Sequence, residues 1–150
     1  MLPMKTHETT SDFIAQECIG VQMRLLNRVV TRIYDDALRP LGIKTSQLNI
    51  LVVTARLGLV RPGQIRDRLK MDNSTVSRNV ARMRARGWIE VVEDEKDARA
   101  HQLRLSAKGQ RLLEEAGPAW EEAQDEVNEL LGRDGVKAIM SGADHVRAKD

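Results

Sequence analysis

The segment between Pro62 and Gly87 contains two short helical patterns that are separated by a run of polar residues. Proline is well placed in the first turn of a helix, where its missing N–H would have no helical acceptor, so it predicts a first helix over 62–70. The polar run 72–75 predicts a turn and a helix N-cap. The second helix, over 74–86, is expected to end at Gly87, because glycine readily adopts the conformation that follows a helix. Two short helices joined by a tight polar turn are typical of a helix-turn-helix unit.

The second of these helices has two faces of different chemistry. On a helical wheel, Val76, Val80 and Met83 fall within about 60° of one another and form an apolar face. The opposite face carries hydroxyl and guanidinium groups, on Ser74, Thr75, Arg78, Arg82 and Arg86. A helix that enters the major groove of DNA needs both faces, one to seat it on its own domain and one to reach base edges and phosphates.

The polar face predicts particular contacts with DNA. Arg78 or Arg82 is expected to make a bidentate contact with guanine, worth roughly 1–3 kcal/mol of discrimination. Ser74 and Thr75, at the start of the helix, are expected to bind phosphate or bases with the help of the helix dipole. The alternative for any single arginine is an ordinary position on a solvated face.

Charge is distributed unevenly along the chain. Residues 61–111 contain 13 basic and 7 acidic side chains and carry a net charge of +6, whereas residues 112–150 contain 4 basic and 10 acidic side chains and carry −6. The net charge of the whole chain is only +2. A basic middle segment predicts an anionic partner, and nucleic acid is the commonest large anion.

Two short strands are predicted after the second helix. Residues 88–92 form an apolar, β-branched run, and residues 101–105 alternate between polar and apolar side chains, with Leu103 and Leu105 on one face. The charged residues 93–100 between the strands are expected to form a long tip. The whole segment predicts a β-hairpin next to the helix-turn-helix.

The segment from Asp97 to Gly109 resembles the wing signature of the MarR family of transcription regulators. The family pattern is Asp-x-Arg, followed by an apolar residue-x-Leu-Thr/Ser-x-x-Gly. The matching residues are Asp97, Arg99, Leu103, Leu105, Ser106 and Gly109. Upstream, residues 73–78, which read Asn-Ser-Thr-Val-Ser-Arg, and residues 86–89, which read Arg-Gly-Trp-Ile, are similar to the recognition helix of that family and to its exit.

The resemblance implies a mainly α-helical winged helix-turn-helix fold with a small antiparallel β-hairpin as the wing. The whole chain, 1–150, would form a single domain, with the winged helix-turn-helix over about 43–110 and dimerisation helices over 11–40 and 111–148. The resemblance further implies sequence-specific binding of double-stranded DNA by a homodimer, with repression of transcription expected rather than activation.

The resemblance also implies roles for particular residues. Arg99 holds the position of the wing arginine that reaches into the minor groove, and Asp97 holds that of the aspartate that orients the basic groups beside it. The family often has a second arginine after the first, where this chain has Ala100. Ser77 falls in the matched recognition-helix run and is counted among the expected DNA-binding residues.

The N-terminal part of the chain is predicted to be a long amphipathic helix. Apolar positions recur at helical spacing over about 12–39, which predicts one continuous helix that stops at Pro40 and Gly42. A further helix is expected to begin at Thr45, as its N-cap, and to end near Gly58.

The C-terminal part is predicted to begin with a helix that is capped by Ser106. Gly117-Pro118 is expected to kink or break that helix, because proline removes a backbone hydrogen bond. Gly132 and Gly135 are expected to separate it from a last helix. The apolar stripes at both ends of the chain need burial, which a twofold dimer supplies. Such a dimer places its recognition helices about 34–36 Å apart and predicts a pseudo-palindromic operator.

A small aromatic or anionic effector is a further implication of the resemblance, since members of the family commonly bind one between the dimer helices and the DNA-binding part. The expected lining residues are Met23, Arg24, Asn27, Val30 and Tyr34. A ligand there would act by favouring one spacing of the two recognition helices.

Cys18 is the only cysteine of the chain and leaves one alternative open. A subgroup of MarR relatives senses organic peroxides through a cysteine on the first helix, and the corresponding position here is Gly20, two residues away. A lone cysteine on an apolar face is more often a small core residue. A second alternative is an antirepressor-like protein that binds another protein and has no specific affinity for DNA.

No sequence pattern indicates catalysis, a cofactor or a metal. The chain lacks the glycine-rich nucleotide-binding motifs and the Gly-x-Ser-x-Gly elbow, and His7, His101 and His145 do not converge in sequence. We therefore expect a protein that is not an enzyme and needs no cofactor. A single cysteine, a polar start and apolar runs too short to span a bilayer favour a cytoplasmic protein with no membrane partner.

Overall fold

The computed structural model describes residues 9–149. The elements in chain order are helices α1 (Thr10–Glu17) and α2 (Ile19–Leu38), a 3-10 turn (Arg39–Leu41), helices α3 (Thr45–Leu57), α4 (Pro62–Leu69) and α5 (Asn73–Ala85), strands β1 (Ile89–Asp94) and β2 (Asp97–Leu105), and helix α6 (Ala107–Arg147). The predicted mainly helical fold with a small antiparallel sheet is confirmed. His7 and the polar start of the chain lie outside the described residues.

The continuous helix predicted over 12–39 is in fact two helices. α1 is capped by the hydroxyl oxygen of Thr9, which accepts a hydrogen bond from the N–H of Asp12 at 3.2 Å. It ends at Cys18, whose backbone is extended (φ −72°, ψ 106°). Cysteine, isoleucine, glycine and valine follow one another over 18–21, and none of them is a strong helix former. The prediction of one helix is therefore wrong at this point.

Helix α3 begins where the sequence predicts but is capped differently. Its N-cap residue is Lys44, and Thr45 is the first residue of the helix, so the prediction of Thr45 as the cap is wrong by one residue. The backbone N–H and the hydroxyl of Thr45 both donate to Oδ1 of Asp35, each at 2.7 Å. Asp35 belongs to α2, so a carboxylate from the preceding helix accepts a hydrogen bond from an N–H group that has no acceptor within α3. The predicted end of the helix at Gly58 is confirmed.

The hydrophobic core is built around α3. This helix contacts α2, α4, α5, α6 and β2, and its residues Leu48, Ile50 and Leu51 are buried. The other elements contribute buried apolar side chains to the same cluster, among them Leu38, Ile65, Val76, Met83, Leu103 and Leu112. The helix-turn-helix, the hairpin and the start of α6 are therefore parts of one packed unit.

The β-hairpin is longer and its tip shorter than the sequence predicts. β1 and β2 pair in antiparallel orientation, and only Glu95 and Lys96 remain between the two strands. The long charged tip predicted over 93–100 is therefore wrong. Strand pairing uses the backbone N–H and C=O groups, so charged side chains on an exposed hairpin do not prevent it.

A short backbone bridge joins the hairpin to the helix-turn-helix. Val60, which lies just before α4, exchanges two hydrogen bonds with Leu103 of β2, at 2.9 Å and 2.8 Å. Both residues are buried, so breaking the bridge would leave backbone groups without partners in the core. The base of the hairpin therefore has a fixed position relative to α4.

The sequence predicts a kink or a break at Pro118. Helix α6 continues through this residue, so the predicted break is wrong, whereas the predicted kink stays a prediction. The non-helical backbone in α6 lies at Gly132 (φ 67°, ψ 168°). Pro118 removes the hydrogen bond to the carbonyl of Glu114, and both residues are exposed, so water can solvate that carbonyl. The predicted separation of a last helix at Gly132 is confirmed, because glycine adopts a positive φ without steric cost. Gly135 lies inside the helix.

Gly109 lies where α6 approaches the start of the hairpin. The hydroxyl oxygen of Ser106 caps α6 by accepting the N–H of Gly109 at 2.9 Å, which confirms the predicted cap. A Cβ atom on Gly109 would lie 2.0 Å from the carbonyl oxygen of Trp88. Only glycine lets the two backbones come this close, which gives the glycine of the wing signature a steric reason.

Gly109→Ala is expected to destabilise the fold by roughly 1–3 kcal/mol, because the new Cβ must push α6 away from the backbone of Trp88. Gly117→Ala is the matched control in the same helix, since nothing lies within 4 Å of a new Cβ there. It is expected to stabilise by about 0.5–1 kcal/mol, because alanine is the better helix former. Thermal denaturation followed by circular dichroism measures both, and equal melting temperatures in the two variants would contradict the close approach.

Candidate nucleic-acid interface

Helix α5 is held on the domain by one face. Val76 and Met83 are buried and Val80 packs beside them, as the sequence predicts. Asn79 is also buried, and its side-chain N–H donates to the carbonyl oxygen of Thr75 at 3.1 Å. Its burial was not predicted, although it is spaced three and four residues from the two core positions of the helix. A polar side chain that bonds its own helix can share an apolar face at little cost.

The other face of α5 is open to solvent. Ser77, Arg78 and Arg82 are exposed, and so is Ser74 in the first turn. Nη2 of Arg78 lies 3.4 Å from the hydroxyl oxygen of Thr75, which keeps its guanidinium close to the N-terminal end of the helix. The predicted arginines and the predicted hydroxyl groups thus lie together on α5, on the side away from the core.

Asp72 caps α5 and organises its first turn. Its Oδ1 accepts the N–H of Thr75 at 2.7 Å and the hydroxyl of Ser74 at 2.6 Å, and its Oδ2 accepts the hydroxyl of Thr75 at 2.9 Å. These hydrogen bonds lower the pKa of Asp72 from 3.8 to about 2, and the hydrogen bond from Ser74 has the largest effect. Ser74 and Thr75, which were predicted to bind DNA, therefore direct their hydroxyl protons at Asp72 in the free protein.

The turn between α4 and α5 is tied by Arg66. Its Nε donates to Oδ1 of Asp67 at 2.8 Å, and its Nη1 donates to the side-chain oxygen of Asn73 at 3.2 Å. The hydrogen bond from Arg66 lowers the pKa of Asp67. Lys70 ends α4 in the left-handed conformation (φ 52°), which non-glycine residues adopt infrequently. The turn between the two helices therefore contains one left-handed residue, Lys70, and a hydrogen bond from Arg66 of α4 to Asn73 of α5.

Arg99, the predicted wing arginine, lies in β2 near the tip of the hairpin and is exposed. Its backbone N–H donates to Oδ1 of Asp97 at 3.0 Å. Asp97 therefore acts on the backbone of the strand, whereas the resemblance implies a role toward the neighbouring basic groups. The wing arginine is thus positioned through its main chain.

Arg61 and Asp94 hold the tip of the hairpin and were not predicted as functional residues. Nη2 of Arg61, just before α4, donates to Oδ2 of Asp94 at 2.8 Å. Oδ1 of Asp94 accepts the backbone N–H of Lys96 at 3.0 Å. The hydrogen bonds from Lys96 and from Arg61 lower the pKa of Asp94. The two residues are 33 positions apart in the chain, so no local pattern predicts the pair.

A cavity of about 660 Å³ lies between α2 and the start of α3. Its lining includes four basic and two acidic side chains, Arg28, Arg32, Arg39, Lys44, Asp35 and Asp36. Both acidic side chains have partners within the protein: Asp36 forms an ion pair with Arg39, and Asp35 accepts hydrogen bonds from Thr45. The charged side chains of the lining therefore leave an excess of positive charge at the cavity.

The five residues predicted to line an effector site all belong to α2, and their role stays a prediction. Asn27 lines the cavity between α2 and α3. Tyr34 faces α6, where its hydroxyl donates to the side-chain oxygen of Gln124, and burial raises its pKa. Met23 and Arg24 are exposed, and Val30 is half-buried. Helical spacing predicted that these residues share a helix, but it does not say which neighbour each of them meets.

Cys18 lies between α1 and α2 and is half-buried. Within residues 9–149, no group of three or more histidine, cysteine, aspartate or glutamate side chains is placed to hold a metal ion. No helix in that part of the chain is both long and apolar enough to cross a membrane.

Residues 41–100 match a sequence model whose description is "MarR family". Among curated proteins, the multiple antibiotic resistance protein MarR of Salmonella typhimurium is 25% identical over 109 residues, which cover 72% of this chain and 76% of that protein. The protein of the same name from Escherichia coli is 23% identical over 109 residues, with 72% and 76% covered.

Solved structures of transcription regulators have the same fold. The M. tuberculosis transcriptional regulator MOSR, in complex with DNA, is 30% identical, with a TM-score of 0.70 over 87% of this chain and 99% of that one. A mutant MarR from E. coli, complexed with operator DNA, is 21% identical, with a TM-score of 0.79 over 89% and 96% of the two chains. A probable transcriptional regulator from Pseudomonas aeruginosa is 22% identical, with a TM-score of 0.78 over 88% and 98%.

Asp72→Asn is expected to keep the cap of α5, because asparagine is also a good N-cap residue, but to remove its titration. The pKa of Asp72 is depressed in the folded state, so the stability that its charge contributes is complete above 3.8 and is lost as pH falls toward about 2. The melting temperature of the wild type should therefore fall more steeply than that of the variant between these two pH values.

Asp125→Asn, which changes an exposed carboxylate on α6, controls for the change in net charge in this comparison. Its melting temperature should follow the pH dependence of the wild type more closely than that of Asp72→Asn does. Parallel curves for the wild type and Asp72→Asn would contradict the capping role of the Asp72 carboxylate.

Proposed function

The chain belongs to the MarR family, and we propose that it is a DNA-binding transcription regulator that works as a homodimer and represses its targets. The observation that carries this proposal is the arrangement of α5. Buried apolar side chains hold one face of the helix, and Arg78 and Arg82 are exposed on the other. A helix held in this way can enter the major groove of DNA, which admits one helix.

The distribution of charge supports the same surface. The segment 61–111, which includes α4, α5 and the hairpin, carries +6, whereas the segment 112–150, most of which belongs to α6, carries −6. Phosphates attract the first and repel the second. DNA should therefore approach from the side of α5 and the hairpin, with the acidic part of α6 turned away.

In the proposed complex, the residues of α5 and of the wing have different tasks. Arg78 and Arg82 contact base edges in the major groove, where a bidentate arginine–guanine pair gives roughly 1–3 kcal/mol of discrimination. The hydroxyl groups of Ser74, Thr75 and Ser77 contact the DNA backbone or bases near the start of the helix. On the wing, Arg99 enters the minor groove, and Asp97 holds the strand that carries it.

Two relatives support the proposed ligand. MOSR of M. tuberculosis, at 30% identity, was solved in complex with DNA, and a mutant MarR of E. coli was solved with operator DNA. The fold that binds DNA in those proteins is present here with an exposed arginine face on α5. The proposed ligand is therefore double-stranded DNA.

The exposed apolar side chains support a homodimer. Most large hydrophobic residues that are exposed lie on α1, α2 and α6, among them Phe13, Ile14, Ile19, Leu25, Leu130 and Met140. In the described residues, only Val52 and Leu59 of this group lie outside those helices. We place the dimerisation helices at 11–40 and 111–148 and the winged helix-turn-helix at about 43–110. A twofold dimer of this kind would read a pseudo-palindromic operator whose half-sites are about 34–36 Å apart.

The cavity between α2 and α3 is the proposed place for a small anionic or aromatic effector. Its excess of basic side chains suits an anion, and it lies between the proposed dimerisation helices and the DNA-binding part. Such an effector would release DNA if it binds more tightly to a dimer whose recognition helices have a spacing that does not fit the operator.

Arg78→Ala and Arg82→Ala are each expected to lose discrimination at one or two base positions, at roughly 1–3 kcal/mol per lost bidentate contact. Arg99→Ala is expected to weaken binding and to reduce the preference for A·T-rich flanks, because the minor groove distinguishes mainly A·T from G·C. Fluorescence anisotropy on the upstream intergenic DNA and on scrambled DNA, from about 50 to about 300 mM salt, measures affinity and salt slope together.

Arg133→Ala, which removes an exposed charge from α6, is the control and should leave the specific affinity unchanged. Wild-type affinity in all three variants would contradict the proposed surface. The binding assay can also be run on DNA fragments selected from the whole genome. A protein that is a dimer but shows no salt-sensitive affinity for any of these fragments would favour the antirepressor-like alternative. In the same assay, no release of bound DNA by phenolic acids at about millimolar concentration, a weak-binding regime, would contradict the effector cavity.

Leu130→Glu and Met140→Glu are each expected to shift the protein toward the monomer, because a charge cannot be buried in an apolar interface without a partner. Leu130 is 56% exposed, and Leu59→Glu is the matched control, since Leu59 is 47% exposed but lies outside the proposed interface. Sedimentation equilibrium should give twice the chain mass of 16.9 kDa for the wild type and the control. A monomeric wild type, or equal dissociation in the control, would contradict the interface.

A further inference from the structure

Arg86 lies at the C-terminal end of the recognition helix and makes contacts that the other arginines of this helix do not share. It is the C-cap residue of α5, and its N–H donates to the carbonyl oxygen of Arg82 at 3.1 Å. Its guanidinium turns back onto the protein, where Nη1 donates to the carbonyl oxygen of Gly42 at 3.1 Å. Its Cζ also lies 5.1 Å from the centre of the Trp88 ring.

Both partners of Arg86 are fixed parts of the fold. Trp88 is 5% exposed and belongs to the core cluster. Gly42 ends the turn between α2 and α3 in the left-handed conformation (φ 68°), and the next residue, Ile43, is buried. The guanidinium of Arg86 therefore connects the end of α5 to the loop before α3 and to the first residue of the hairpin segment.

The position of Arg86 on the helix separates it from the two proposed base-reading arginines. At about 100° per residue, Arg82 lies about 40° around the helix from Arg78, and Arg86 lies about 80° from Arg78. Arg86 was grouped with the DNA-facing side chains in the sequence pattern, because its wheel position is at the edge of the same face. Its guanidinium lies over the Trp88 ring and donates to the carbonyl oxygen of Gly42, and the flat, multi-donor guanidinium suits this pair of contacts better than an ammonium does.

We propose that Arg86 is a positioning residue for DNA recognition, which sets the direction of α5 through Gly42 and Trp88 without contacting DNA itself. This inference rests on the proposed function, since it assigns a role within DNA binding. Gly42 also lines the cavity between α2 and α3, so the same contact joins the wall of that cavity to the end of the recognition helix.

Arg86→Gln tests the proposal by its effect on affinity and on salt dependence. A positioning residue should cost roughly tenfold in specific affinity, from the lost stacking and the lost charged hydrogen bond, and should leave the salt slope unchanged. A phosphate contact should instead reduce the slope by about 0.9 per arginine removed, or about 1.8 for a dimer. Arg86→Lys separates the two further, because it keeps the charge for a phosphate but loses the planar stacking group.

Gly42→Ala disturbs the same contact from the other side. A Cβ on Gly42 would lie 2.9 Å from Nη1 of Arg86, on a backbone of positive φ. The loss of DNA affinity caused by Gly42→Ala should be smaller in the Arg86→Gln background than in the wild type, because the contact is already absent there. Arg84→Gln, an exposed charge removed from the last turn of α5, controls for net charge and should not show this coupling.

Amide hydrogen exchange of residues 82–85, with circular dichroism to confirm folding, gives a readout without DNA. Faster exchange in Arg86→Gln together with weaker binding at an unchanged salt slope supports the proposal. Three results would each overturn the positioning role but leave the proposed function intact. The first is unchanged DNA affinity in Arg86→Gln, and the second is a reduced salt slope in that variant. The third is near wild-type binding by Arg86→Lys together with additive effects of Gly42→Ala and Arg86→Gln. Absence of specific DNA binding by the wild type overturns the proposed function, and the role of Arg86 with it.

Discussion

Burial of Val76 and Met83 against the core around α3 is the interaction on which the proposed interface depends. An amphipathic helix presents a defined polar side only when its apolar side is held in a defined place. The seating of α5 therefore decides that Arg78 and Arg82 face solvent. Polar contacts at the ends of the helix add to this seating, with Asp72 at the start and Arg86 at the finish. Removal of the apolar seat would leave the same arginines without a common direction.

The wing depends on the same core but is fixed by different contacts. The backbone pair between Val60 and Leu103 places the base of the hairpin, and the pair between Arg61 and Asp94 places its tip. The exposed ion pair is weak by itself in water, but here it acts on a hairpin whose base is already held. These contacts connect the hairpin that carries Arg99 to the segment before α4, as the proposed binding to both grooves would need.

Local patterns predicted the elements of this frame well where a single residue type decides the backbone. Pro62 begins α4, Ser106 caps α6 and Gly132 interrupts it, as expected. Pro118 shows the limit of such rules, because a lost hydrogen bond breaks a helix only if the freed carbonyl has no other partner, and at an exposed position water supplies one. The charged residues 93–100 looked like a loop, but their backbone pairs in the hairpin. The predicted effector residues share α2, yet Tyr34 faces α6 and Asn27 faces the cavity.

The sequence by itself determined the two faces of α5, the start of α4, the cap of α6, the charge difference between the middle and the C-terminal segment, and the wing signature. The charge difference follows from composition alone, and each of the others arises from residues within a few helical turns or one hairpin, where periodicity and backbone preference act. Only the tertiary structure decided which side chains pair: Thr45 donates to Asp35, Arg61 to Asp94, and Arg86 to the carbonyl oxygen of Gly42. It also decided that residue 109 must be glycine, because the backbone of Trp88 lies against it. These contacts join residues of different elements, 10 to 44 positions apart in the chain, which packing of the elements brings together and which no periodicity or backbone preference links.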